Sequence, residues 1–328
     1  MSIAKPEFRI DLAVAGSSPL RAETYLSSLK QGASLHEKLD CRHPLGIYNV
    51  SIKRILQKLT SCASTLEQYI RVAPSTGELR SHQVEKERVI DYIELSLYAA
   101  AEHVDDLEAI ARCFFPDNGA TSRATYVRKF KLMMKPLRDR IAGFTNAIKH
   151  GQSRIRTYSY DFKQLEGSVC LHGFFIEEFG GGAVGPSAVF HTDERVISIT
   201  SFLWYILIYL FLMSDALADF LEELGVVKHP ESVASQSEFL KACVVALARL
   251  PLYSFDDEHP FKRVRFVIAA DEKTRPALNS GIYGSLISRW GKSTVMAVGG
   301  AEIGYEGDGT TRSFRIVHPT AVNIQHWD

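Results

Sequence analysis

Cysteine is sparse. Cys41, Cys62, Cys113, Cys170 and Cys243 are odd in number and far apart, and none belongs to a C-x-x-C pair. That spacing excludes a written disulfide framework and a zinc knuckle, and it predicts a reducing, cytoplasmic compartment. Excess charge of either sign is also missing, with 38 Lys+Arg against 38 Asp+Glu. A uniformly basic nucleic-acid protein is thereby excluded, although a local patch can sit inside a neutral total. Glycine and proline, 22 and 12 of 328 residues, are too few for a collagen-like or low-complexity chain. The opening residues 1–16 lack the apolar core and small-residue cleavage pattern of a signal peptide. Their alternation of Phe8, Ile10, Leu12 and Val14 predicts a first strand.

Only one long apolar run is present. No residue from Val196 to Met213 is charged, and Phe202 to Met213 is unbroken apolar or aromatic. A membrane span needs about 20 such residues, whereas 10–14 fit a buried helix. Ser198, Thr200 and Ser201 interrupt the first part, and Trp204, Tyr205 and Tyr209 would fall mid-bilayer rather than at its interfaces. A buried core helix reaching about Leu224, capped by Gly225, is the expectation, with no membrane partner.

The apolar spacing before residue 150 has a period near 3.6 and predicts helices over about 20–39, 45–72, 78–115 and 125–150. Breaks fall at Pro74–Gly77 and Pro116–Gly119, Gly151 is a C-terminal cap, and Pro136 should kink the fourth helix. Period two then predicts strands at 154–162, 168–179, 188–191 and 195–200, with Gly180–Pro186 as a flexible loop. A helix at 235–250 and strand-like pieces at 264–269, 294–298 and around Glu306–Gly309 follow. The expected fold is α+β: a mainly helical body over 1–226 with a small β insertion at about 154–200, and an α+β region over 227–328.

Several familiar motifs fail. Gly291-Lys292-Ser293 resembles the end of a phosphate-binding loop, but Leu286 stands where that loop needs glycine. The Gly180–Gly185 cluster lacks the order of a dinucleotide-binding turn. Asp91, Glu94, Tyr98, Glu102 and Asp105 share one helical face, opposite the apolar Ile93, Leu97, Ala101 and Val104. That pattern is a solvated or ion-paired face rather than a metal site. No metal and no cofactor is expected.

The fourth helix stands apart. Arg123, Arg128, Lys129, Lys131, Lys135, Arg138, Arg140, Lys149, Arg154 and Arg156 face a single acid, Asp139. Such an excess is either a phosphate footprint or the complement of the preceding acidic helix. Met133, Leu137, Ile141, Phe144 and Ile148 form an apolar stripe that must face the core. Asp139, Gly143, Asn146 and His150 form a second stripe on roughly the opposite side. His150 should therefore face solvent or a partner, and Gly143 should let another helix approach.

The run Arg138-Asp-Arg-Ile-Ala-Gly-Phe-Thr-Asn-Ala-Ile-Lys-His150-Gly resembles the motif helix of the HEPN superfamily (higher eukaryotes and prokaryotes nucleotide-binding). The resemblance covers at most residues 43–225 and rests on about thirteen of them. It implies a helical bundle that dimerises through the motif helix. It also implies a metal-independent endoribonuclease of a toxin–antitoxin or anti-phage system, with a possible cognate protein partner. The family's motif is arginine followed after four to six residues by histidine. Here Gly143, Phe144 and Thr145 occupy the arginine positions, so the motif is incomplete. Arg312 and His318 match the spacing by chance, in a strand-like segment.

By this resemblance His150, Asn146 and Arg140 are the catalytic candidates, and Arg138, Lys149, Arg154 and Arg156 are the RNA-binding candidates. His150 would act as acid/base for attack of a ribose 2′-OH on its own phosphate, with cations stabilising phosphate charge. Lys149, Arg138 or Arg140 would stand in for the usual arginine. The alternative expectation is a non-catalytic HEPN-like scaffold or partner-binding subunit.

Overall fold

The computed structural model describes residues 20–73, 79, 81–116, 124–150, 153–164, 167–180, 183–191, 196–227, 230 and 237–250. It also describes strands at 253–255, 263–266, 295–296, 300–303 and 312–315. The expected first strand at 8–14 and the breaks at 74–77 and 117–119 lie outside the described residues. Six helices are described: α1 Arg21–Ser27, α2 Pro44–Val72, α3 Gln83–Arg112, α4 Thr125–His150, α5 Ile199–Glu223 and α6 Ser237–Ala248. The helical body with a small β insertion, and hence the α+β class, is what the periodicity predicts.

Local chemistry sets the boundaries. Pro44 occupies the first turn of α2, and the His43 side chain accepts from the Leu45 N–H, so a donor without an intrahelical partner is satisfied. Ser198 does the same for α5, accepting from the Ser201 N–H. Gly225 closes α5 with φ +70 and an N–H bond to the Glu222 carbonyl, the left-handed stop that glycine adopts without penalty. Helix α4 runs unbroken through Pro136.

The first helix is much shorter than expected. Ser27 and Ser28 both bond back to the Thr24 carbonyl, competing with helix propagation, and Gly32 turns the chain at φ +78. Residues up to 43 then cross as turns.

The insertion is one antiparallel sheet. Strands β1 (Ile155–Gln164) and β2 (Gly167–Gly180) form a hairpin with Ile155 opposite Ile176. The glycine-rich stretch expected as a loop instead supplies β3 (Ala183–Pro186), which pairs with the end of β2. Residues 188–190, expected as strand, form a tight turn around Ser187, whose hydroxyl accepts from the Val189 N–H. A two-residue β4 (Ile197–Ser198) pairs with β2 and leads directly into α5.

Helix α5 is the one described helix long and apolar enough to cross a membrane, yet its side chains are mostly buried inside this chain. Leu203, Leu207, Leu210, Met213, Leu217 and Leu221 are at most 1 % exposed. Helices α1 to α4 and strand β2 all pack on it. Phe220 meets Phe114 and Phe130 with ring centroids 6.2 and 5.4 Å away, and Phe202 meets Phe174 edge-on. Burial of one such side chain is worth about 1.5–3 kcal/mol.

Beyond residue 226, α6 is seated on α2. Leu240, Cys243, Val244 and Leu247 join the same core, and Lys53 lies over the Phe239 ring. Strands β5 (Tyr253–Phe255), β6 (Arg263–Phe266) and β7 (Val295–Met296) form an antiparallel set, and β8 (Gly300–Ile303) pairs with β9 (Arg312–Arg315).

Two histidines are sealed into this body. His103 Nδ1 lies 2.8 Å from the Ser51 hydroxyl between α2 and α3, and His172 Nδ1 lies 2.9 Å from the Ser159 hydroxyl. Burial lowers both from the ordinary histidine range to about 3. Each is therefore neutral in the fold but binds a proton once unfolded below about pH 6.5. The stability they contribute is complete above that value. It falls as pH drops toward 3, by about 1.4 kcal/mol per histidine per pH unit. Denaturant titrations between pH 6 and 5 should show stability rising with pH, with these two histidines taking up about 1.5 protons on unfolding at pH 6 and nearly two at pH 5.

Candidate functional site

Helix α4 packs between α3 and α5 and against β2. Val127, Phe130, Met134, Ile141, Phe144 and Ala147 are buried, and Leu137 and Ile148 are half-buried against the core. The apolar stripe thus faces inward, except that Met133 is 39 % exposed and the inward row uses Met134 instead. Thr145 is buried with its hydroxyl donated to the Ile141 carbonyl, a bond that removes the cost of burying a polar group.

Two basic rows flank that buried stripe, at about 100° per residue around the helix. Lys131, Arg138 and Lys149 share one row, which faces α3. Lys131 and Arg138 both reach Glu108, at 3.1 and 3.7 Å, and Arg138 also reaches Asp139 at 3.2 Å. The Lys149 ammonium lies 4.6 Å from the centre of the Tyr98 ring, a cation–π contact. On the other flank Lys129 pairs with Glu223 of α5. Lys135 pairs one turn along with Asp139, whose carboxyl these cations hold below the usual range. Much of the basic excess is therefore spent on neighbouring helices and on the single acid.

The candidates separate accordingly. His150 and Asn146 are both exposed, one turn apart, and neither side chain makes a hydrogen bond or ion pair among the described residues. Arg140 is exposed and has no ion pair among the described residues. It sits more than two helical turns from His150, so one subunit does not bring the two together. Arg154 is exposed just beyond the helix, while its carbonyl accepts from the Glu177 N–H. Arg156 is different. Its side chain is 10 % exposed, and its Nε donates to Glu177 at 2.6 Å, so it braces the β1–β2 hairpin rather than facing phosphate.

Gly143 is also not the open approach point expected. Phe190, carried by the turn after β3, lies over it, and an added Cβ would sit 3.3 Å from the ring. Phe190 also stacks on Phe144 with centroids 5.7 Å apart. The middle of the polar stripe is thus covered by the insertion of the same chain. Its two open ends are Asp139 and the Asn146–His150 pair.

On α3 the residues Glu102 and His103 are adjacent in sequence but face opposite ways. Glu102 pairs with Arg54 at the surface, whereas His103 points into the core toward Ser51. No three His, Cys, Asp or Glu side chains converge as a metal requires, among the described residues. Sequence reasoning missed the inward partners Tyr98, Glu108, Glu177 and Phe190. The only legible signal was the acidity of the preceding helix.

The Arg156–Glu177 pair carries a stability prediction. Removing one member leaves the other charge largely shielded from water, so Glu177→Ala should lower unfolding free energy by about 3 kcal/mol. Arg140→Ala at the surface should stay within about 0.5 kcal/mol. Urea titrations of the two variants against the parent protein check the contrast.

Searches against protein families, curated proteins and solved structures return no match to this chain.

Proposed function

We propose that this chain is a HEPN-like protein acting on RNA in the cytoplasm. The end of α4 is its RNA-facing site, and His150 is the acid/base of a metal-independent endoribonuclease of a toxin–antitoxin or anti-phage system. One observation carries the reading: Asn146 and His150 stand exposed and uncommitted on the face of α4 opposite its buried stripe. Around them Lys149 and Arg154 present exposed cations. Cleavage would proceed by attack of a ribose 2′-OH on the adjacent phosphate, with the His150 imidazole supplying proton transfer. Arg140, remote from His150 within one subunit, would take part through a homodimer formed along α4.

A second reading, the non-catalytic scaffold or partner-binding subunit, is favoured by a different observation. The arginine positions of the family motif hold Gly143, Phe144 and Thr145, and all three are packed beneath Phe190 or into the core. No cation of α4 can occupy that place.

The two readings part in a single assay. His150→Ala should abolish cleavage of a single-stranded RNA pool while leaving its binding within about twofold. A triple change of Arg140, Lys149 and Arg154 to Ala should weaken binding by at least tenfold at low salt. It should also flatten the salt dependence, by about 0.7 in log–log slope for each phosphate no longer neutralised. Binding without cleavage by the parent protein would leave the scaffold reading. Neither binding nor cleavage at low salt would remove the RNA reading altogether.

A further inference from the structure

The turns between α1 and α2 bring together two cysteines that lie 72 residues apart. Cys41 Sγ sits 3.4 Å from Cys113 Sγ, a non-bonded thiol contact, against the roughly 2.05 Å of a disulfide. The surrounding backbone fixes the encounter. Cys113 caps α3, its N–H bonding to the Ala109 and Ile110 carbonyls, and its own carbonyl accepts from the Leu35 N–H at 2.6 Å. Asp40 takes a left-handed φ of +49, and the Cys41 N–H bonds to the His36 carbonyl. That turn aims the Cys41 sulfur back at the end of α3.

Access to solvent is asymmetric. Cys41 is exposed, Cys113 is 1 % exposed, and Cys62, Cys170 and Cys243 are buried in the interior. Among the described residues no third His, Cys, Asp or Glu joins the pair to make a metal site.

We propose that Cys41 and Cys113 form a reversible oxidation site that closes to an intramolecular disulfide on exposure to a hydroperoxide. In the first step the Cys41 thiolate attacks the peroxide oxygen. An S–O bond forms, the O–O bond breaks, and the departing oxygen takes a proton and leaves as water or an alcohol. In the second, the Cys113 sulfur attacks the Cys41 sulfur. The S–S bond forms, the S–O bond breaks, and the departing hydroxide takes the Cys113 proton as water. The two thiols lose two electrons and the peroxide gains them. Burial, with the Cys41 contact beside it, pushes the Cys113 thiol up to about 12. Cys113 therefore waits as the resolving thiol while exposed Cys41 reacts first. The closed bond would tie the α1–α2 connection to the end of α3, one turn beyond the Glu108 that holds Lys131 and Arg138.

The test uses the full, reduced chain treated with one equivalent of hydrogen peroxide at neutral pH. Thiols are then alkylated in denaturant and the chain mapped by non-reducing peptide mass spectrometry. A Cys41–Cys113 cross-linked peptide should appear, and alkylatable thiols should fall by two from the original five, returning with dithiothreitol. The thermal midpoint of the oxidised form should move upward, because the cross-link restricts the unfolded chain. Cys113→Ser should stop at a dimedone-reactive sulfenic acid on Cys41, with the loss of one thiol. Cys41→Ser, a change at an exposed position, should abolish cross-linking in a chain whose circular dichroism is unchanged. The proposal is overturned if all five thiols survive or if Cys41 over-oxidises while Cys113 stays alkylatable. Disulfide-linked dimers in place of the internal bond would overturn it equally.

Discussion

Covering α5 is the demand on which this fold rests. Its first four turns carry no charge, so an uncovered face would leave a large apolar patch in water. Four helices and the central strand of the insertion share the task. The second half of α5 then carries Asp215, Asp219, Glu222 and Glu223, acids at the end of a helix where the macrodipole disfavours them. The covering helices answer that too. Arg21 of α1 reaches Asp219 at 2.9 Å and lies near Asp215 and Glu222, while Lys129 of α4 takes Glu223. The same neighbours therefore bury the apolar half and neutralise the acidic half.

What was legible in the sequence follows from distance along the chain. Helices α2, α4 and α5 were readable because the 3.6-residue spacing and Gly225 are local signals that the packed state does not oppose. The length of α1 was not. Its apolar positions continue the helical period, but Ser27, Ser28 and Gly32 win through backbone competition that periodicity does not register. The glycine-rich 180–186 stretch read as a loop because glycine weakens a strand. Pairing with the free edge of β2 outweighs that weakness.

At the candidate site the split is sharper. The exposure of Asn146 and His150 was visible, since it follows from their angle to the buried stripe. The fate of Arg156 was not, because Glu177 reaches it only through the β1–β2 register that sets Ile155 opposite Ile176. Phe190 over Gly143 was equally hidden, as a turn after a hairpin whose course no local pattern reveals. The Cys41–Cys113 contact is the extreme case. Spacing rules search for cysteines near in sequence, whereas the end of α3 and the turn at Asp40 join two that are far apart.

The basic helix and the neutral total charge now have one explanation. A helix wedged between acidic neighbours must present cations on both flanks of its buried stripe, and α4 does so with Lys129, Lys131 and Arg138. Those charges cannot serve a phosphate backbone without being withdrawn from Glu108 and Glu223, which would uncouple α4 from α3 and α5. Among the described residues of this region, the exposed cations off the flanks or beyond the acids are Arg128, Arg140, Lys149 and Arg154. On the RNA reading proposed above, a handful of such cations would support a modest, salt-sensitive grip rather than long-range steering. Specificity at this face would have to come from Asn146, His150 and whatever second surface lies against them.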